Sequence, residues 1–232
     1  MASITVDVSE SMQATDVLPD RIKAAQAAAV QFADILPARI NLGLVKFGGT
    51  ASVVVPPTTD RNAVKTAIQN LSLLASTAIG EAVYACLDAV TVFAQSNVAK
   101  GAKPPPARIV LMSDGANNKG RTVASAEDAA RSAGVPVSTI AFGTDSGTVD
   151  LQGEQIPVPA DKTTLRELAQ QTGGSFHTAT TEQELSQVYA NIGSQIGYTT
   201  SHRDISWRFL AIGLLLALAA AGASLLWAGR LL

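Results

Sequence analysis

Apolar positions along this chain switch repeatedly between a spacing of two and a helical spacing. The opening "SITVDVS" is a short run of strand formers. "PDRIKAAQAAAVQFADIL" (19–36) begins with Pro19 and Asp20 and sets Ile22, Ala25, Ala29, Phe32 and Leu36 along one helical face. "INLGLVKFGG" and "TASVVVPP" read as strands parted by glycines, an antiparallel hairpin at a sheet edge. Two helices follow, "DRNAVKTAIQNL" (60–71) behind an aspartate cap and "IGEAVYACLDAVTVFAQS" (79–96). "KGAKPPPA" breaks the chain before "RIVLMSDG", an apolar strand of the kind covered on both faces. "TVASAEDAARSAG" is a helix closed by Gly134, and "VPVSTIAFG" is the next strand. Residues 144–160 read as a loop with a small hairpin through Gly153. The capped helix "DKTTLRELAQQTGG", the short strand "SFHTA" and the helix "TEQELSQVYANIGSQIG" complete the series, the last opening on a Thr181/Glu184 capping box.

The order βαββααβαβαβα, with apolar central strands, predicts an α/β fold: a doubly wound, Rossmann-like sheet, mostly parallel with one antiparallel edge strand, and helices on both faces. This domain occupies residues 1–197.

Composition changes the picture at the C-terminus. Hydrophobic residues are 47% of the chain and charged ones 16%, and the apolar excess is concentrated in "FLAIGLLLALAAAGASLLWA" (209–228), which carries no charge. At about 1.5 Å per residue such a helix matches the roughly 30 Å hydrocarbon core of a bilayer. Arg208 and Arg230 bracket it, and Trp207 and Trp227 sit at interfacial positions. The expectation is a transmembrane helix at 209–228, joined to the domain by a juxtamembrane linker (198–208) and followed by a short tail (229–232). The protein is then anchored in the cell membrane. The first strand has almost no lead-in, so upstream membrane helices are expected to precede it. With them the domain would face out of the cytoplasm.

Net charge is −2 with no basic block, which excludes nucleic acid as the expected partner. Cys86, the single cysteine, falls on an apolar helix side and reads as a buried, inert thiol. It also rules out an intramolecular disulfide or a cysteine-based zinc site within this sequence.

Candidate chemistry gathers at strand ends. "TVDVSES" carries Asp7, Ser9 and Ser11; "VLMSDGANN" carries Asp114; "LLASTAIGEAV" brings Ser76 and Thr77 to the loop before a long helix. In doubly wound sheets, ligands bind beyond the carboxyl ends of strands where the strand order reverses. Singly, these residues have ordinary explanations: serines cap helices and Asp-Gly makes turns. Pooled, they are hard oxygen donors suited to Mg²⁺, Mn²⁺ or Ca²⁺.

Asp7-x-Ser9-x-Ser11, Thr77 in "STAIGEA" and Asp114 in "LMSDG" resemble the metal-ion-dependent adhesion site of von Willebrand factor A domains. The resemblance covers residues 4 to about 197. The whole chain is similar to the bacterial membrane-anchored proteins of the aerotolerance-operon type. The resemblance implies a nucleotide-free Rossmann-like domain that binds one divalent cation through these five residues. Ser9 and Ser11 would be direct ligands, Thr77 would act directly or through water (Ser76 standing in if Thr77 faces away), and Asp7 and Asp114 largely through water. An unfilled coordination position would then take a glutamate or aspartate from a partner protein. The resemblance further implies cooperation with a MoxR-type ATPase and with other A-domain membrane proteins.

The alternatives are a Mg²⁺-dependent phosphoryl-transfer enzyme using Asp7, or a scaffold whose metal site is vestigial. Against the enzyme, the positions after Asp7 hold Val8 and Ser9 where a further acid is needed, Lys119 lies in a loop beyond Asp114, and no Walker-type glycine loop is present. His177 and His202 read as structural or solvated. The protein is expected to be a binding module and not an enzyme.

Overall fold

Every residue of the first strand, β1 (Ala2–Asp7), is buried, as befits a strand inside a sheet with both faces covered. In the computed structural model, which describes residues 1–97, 105–151, 153–197 and 220, β1 pairs in parallel with β2 (Leu42–Phe47) and β4 (Arg108–Ser113). β3 (Ala51–Thr58) runs antiparallel to β2 at one edge. β5 (Val137–Phe142) and β8 (Phe176–Ala179) continue the parallel side. The sheet order is β3-β2-β1-β4-β5-β8. It is the predicted doubly wound α/β sheet with one antiparallel edge strand. The predicted small hairpin is β6 (Thr148–Leu151) with β7 (Glu154–Pro157), turned through Gly153 at φ +87°.

Side-chain alternation sorts the core into two layers. Ile4, Val6, Val110, Met112, Ile140 and Phe142 face α1 (Arg21–Ile35), α2 (Arg61–Gln69) and α6 (Glu182–Gly197). Ile109, Leu111, Val137 and Ala141 face α3 (Ile79–Asn97), α4 (Val123–Ala133) and α5 (Lys162–Thr172). The predicted apolar face of α1 is the buried one: Ile22, Ala25, Ala29, Phe32 and Leu36 are all in the core. Phe32 stacks on Tyr189 of α6 with ring centroids 5.0 Å apart. Burying a side chain of this size contributes about 2–3 kcal/mol.

On the α3 side of β1 the alternation turns polar. Ser3 and Thr5 hydroxyls meet Cys86 Sγ at 3.5 and 3.0 Å, and burial pushes the thiol up to about 11. Cys86 is therefore the inert core residue expected of it.

Helix ends follow local chemistry. Asp20, Asp60 and Asp161 cap α1, α2 and α5, and Gly134 closes α4 in the left-handed conformation. The cap of α6 differs in one arm from the expectation. Thr181 Oγ1 accepts from Glu184 N, but the Glu184 carboxylate reaches back to the N–H and hydroxyl of Thr180. Two donors on one residue hold the carboxylate better than a single N–H.

The chain divides into two units, Met1–Tyr198 and Thr199–Leu232. The predicted span 209–228 lies, Ala220 excepted, outside the described residues. Among the described residues no helix is long and apolar enough to cross a membrane.

Candidate metal site

The winding of the sheet reverses between β1 and β4, so the carboxyl ends of these neighbouring parallel strands open a crevice. Asp7 ends β1, and Asp114 follows Ser113, the last residue of β4. Ser113 shares the Asp7 face of the sheet and donates a hydrogen bond to Asp7 Oδ2, while Ser9 N donates to Asp7 Oδ1 at 2.9 Å. Asp7 is fully buried and both its oxygens are engaged. A nucleophile must reach its substrate, so this placement speaks against the phosphoryl-transfer reading.

After Asp7 the chain is pinned. Val8 N donates to Phe47 O and Val8 O accepts from Leu74 N, and Ser9 bridges Leu74. A single 3-10 turn (Glu10–Gln13) then curls Ser11 back over the crevice. Ser9 Oγ and Ser11 Oγ are 2.9 Å apart, and Ser11 Oγ donates to Asp114 Oδ1 at 2.8 Å. The two hydroxyls and the second carboxylate thus form one connected chain.

Thr77 enters from the loop before α3. Ser76 sits at φ +63°, a left-handed turn that non-glycine residues seldom adopt. That turn presents Thr77 to the crevice and leaves Ser76 against Gly49 of the β2–β3 turn, so Ser76 does not line the site. Asn118 Oδ1 accepts from Thr77 N at 2.9 Å, and Thr77 O accepts from Asn118 N and Lys119 N. The Thr77 hydroxyl itself has no hydrogen bond among the described residues and faces the space over Gly115 shared with Ser11. Gly80, in the first turn of α3, lies so close to Arg121 O that a Cβ there would overlap it, and Asn117 Oδ1 accepts from Gly80 N at 3.2 Å.

Ser11, Thr77 and Asp114 line a cleft of about 510 Å³ whose far wall is Pro157–Asp161, the segment leaving the β6–β7 hairpin. Asp7 and Ser9 lie beneath it, buried. All five sequence-predicted ligands meet at this one place.

Sequence reasoning missed Arg21. Its side chain is wholly buried and its Nη1 donates to Asp114 Oδ2 at 2.6 Å. Nothing at "PDRIK" distinguishes it from a solvated first-turn arginine, because its partners are set only by the tertiary fold. Ser113, Asn117 and Asn118 were missed as well; the turn "SDGANNK" reads as a loop, and its grip on Thr77 and Gly80 is visible only in three dimensions.

Burial, and then the charge of Asp114, pushes the Asp7 carboxyl up to about 7, against the hydrogen bonds from Ser113 and Ser9. Burial also pushes Asp114 up, opposed by the Arg21 guanidinium and the Ser11 hydroxyl. Two carboxylates pressed towards protonation are a place where a cation would be welcome. The donor set is entirely oxygen, which fits a hard divalent ion. Among the described residues no group of three or more His, Cys, Asp or Glu could hold a metal. A site here must rely on hydroxyls.

Residues 3–117 match the family model of the von Willebrand factor type A domain. The chain belongs to the UPF0353 family of such proteins: it is 47% identical over 232 residues to a UPF0353 protein of Mycolicibacterium vanbaalenii, covering 96% of this chain and 68% of that protein. A UPF0353 protein of Mycobacterium marinum is 46% identical, with 98% and 70% covered. Among solved structures, an aerotolerance-related membrane protein from Bacteroides fragilis superposes with a TM-score of 0.70 at 22% identity, over 84% of this chain and 97% of that one. BatB from Bacteroides thetaiotaomicron gives 0.67 at 22% identity, over 84% and 98%. Proximal thread matrix protein 1 of the mussel byssus, with a zinc-occupied MIDAS motif, gives 0.60 at 17% identity, over 88% and 48%.

Proposed function

We propose that this domain is a divalent-cation-dependent protein-binding module. Ser9, Ser11 and Thr77 would hold the ion, and Asp7 and Asp114 would balance its charge largely through water. The observation that carries this reading is the connected chain Ser9–Ser11–Asp114 on the floor of an open cleft, with the Thr77 hydroxyl left available beside it. Neutral hydroxyl ligands leave an ion with charge to offer, and an acidic side chain of a partner protein is the group that charge would attract. Mg²⁺ is the expected ion, with Mn²⁺ or Ca²⁺ as substitutes; the mussel protein of the same fold takes zinc, so zinc belongs in the comparison.

The uncharged segment 209–228 would anchor the module in the cell membrane, in line with the membrane description of the Bacteroides fragilis protein. Proposed partners, on the resemblance to the aerotolerance-type proteins, are a MoxR-type ATPase and other A-domain membrane proteins. With upstream membrane helices the domain would face out of the cytoplasm, which protease accessibility in intact against opened cells would show.

Calorimetric titration tests the site itself. Wild-type protein is expected to bind one Mg²⁺ or Mn²⁺, and Asp7→Ala to lose that binding while remaining folded. Capture of membrane proteins on the immobilised chain is expected in Mg²⁺ and absent in EDTA. Capture that survives both EDTA and Asp7→Ala would refute the metal bridge.

A further inference from the structure

Among the described residues Arg21 is the largest fully buried side chain. Its guanidinium makes a two-point contact with Asp16, Nε to Oδ1 at 2.8 Å and Nη2 to Oδ2 at 2.7 Å. Nη1 donates to Asp114 Oδ2 at 2.6 Å, and Nη2 also reaches Val158 O at 3.1 Å. Asp16 is gripped from the other side by Thr144, whose N–H and hydroxyl donate to Oδ2 at 2.8 and 2.6 Å. Gly143, at φ +124°, and Gly147 close around the guanidinium, and a Cβ at either would collide with it. Apolar side chains commonly replace a buried ion pair with no loss of stability. Packing alone therefore does not call for a charge at this position, and of its contacts the one with Asp114 bears directly on the site.

Both Asp114 oxygens are committed, Oδ1 to Ser11 and Oδ2 to Arg21. We propose that Arg21 is a positioning residue that holds Asp114 back from direct ligation of the cation and so keeps the ion's charge available to an incoming carboxylate. The inference rests on the metal-binding reading above. With Oδ2 tethered to the guanidinium, Asp114 can ligate directly only by swinging Oδ1 away from Ser11 against that tether, or by turning Oδ2 to the ion and leaving a buried cation short of a partner. Without Arg21 that restraint is gone: Asp114 moves onto the ion, the ion is held more tightly, and its attraction for an outside acid falls. Asp16 sets the strength of the device. By sharing the guanidinium charge it limits the repulsion that a divalent ion meets beside Asp114.

Mn²⁺ is the probe, with calorimetry for affinity and pulsed ENDOR on protein carrying ¹³C-carboxylate aspartate for direct ligation. Wild-type protein is expected to bind Mn²⁺ and to show only weak carboxylate coupling through water. Strong direct coupling in wild type that disappears in Asp114→Asn overturns the proposal. The double variant Asp16→Asn/Arg21→Gln removes both charges of the Asp16–Arg21 pair and frees Asp114 from its tether; it is expected to show direct coupling and to bind Mn²⁺ about tenfold more tightly. Equal or weaker affinity in the folded double variant also overturns it. Asp16→Asn alone is expected to weaken Mn²⁺ binding, and general loosening of the loop would not yield opposite signs in the two variants. Should the double variant fail to fold, the wild-type spectrum decides. Absence of Mn²⁺ uptake by wild type removes the metal reading and this inference together, whereas uptake with Asp114 directly bound removes only this inference.

Discussion

Asp7 carries the pH behaviour of the site. A proton and a cation compete for the negative charge that its ionised form supplies, and its carboxyl is pushed up to about 7 by burial and by Asp114. Mn²⁺ affinity is therefore expected to be level above pH 7 and to fall by roughly tenfold per unit at lower pH; titrations between pH 5.5 and 8 check this, and a flat profile contradicts it. In the metal-free domain the same shift works against the fold as pH rises from the ordinary aspartate range through 7, because the buried group must then ionise or stay protonated at a cost. The candidate ligand residues were legible because each lies in a short local pattern: an acid and two hydroxyls at alternate positions, or an acid at a strand's end. Arg21 was not legible for the opposite reason. It is 93 positions from Asp114, and a helix-start arginine looks the same whether solvent or a second carboxylate awaits it.

Among the elements, the junction of α3 with the β4–α4 loop controls where Thr77 stands. Gly80 touches the Arg121 backbone with no room for a side chain. Gly80→Ala should push the two segments apart, with a stability loss of about 1–3 kcal/mol and a weaker metal site; denaturant unfolding and Mn²⁺ titration of the variant report both, and a variant with unchanged metal affinity would break the link. Element existence was well marked in the sequence, since α1 and the edge hairpin follow clear periodicities. The cap of α6 was marked less well. Thr180 and Thr181 are adjacent hydroxyls, and only the three-dimensional turn selects which one Glu184 embraces.

For the domain as a whole, a ligand that binds only the folded state adds stability by mass action. At a hundred times its dissociation constant, Mg²⁺ should add about 2.7 kcal/mol, a rise in Tm of roughly 5–10 °C for a domain of this size. EDTA should reverse it, and a Tm indifferent to both would show that the ion does not bind the fold. The overall topology was readable because strand-helix alternation and right-handed crossovers leave few arrangements. The closing of the β6–β7 hairpin over the crevice was not, as its contact with Arg21 runs through the Val158 carbonyl, which carries no side-chain signature. That carbonyl contact has a further effect. Because the buried Arg21 guanidinium holds the outer lip of the cleft from below, with Gly143 and Gly147 folded tightly about it, the lip is already in shape, and a protein docking there as proposed would spend little of its binding energy in ordering the loop.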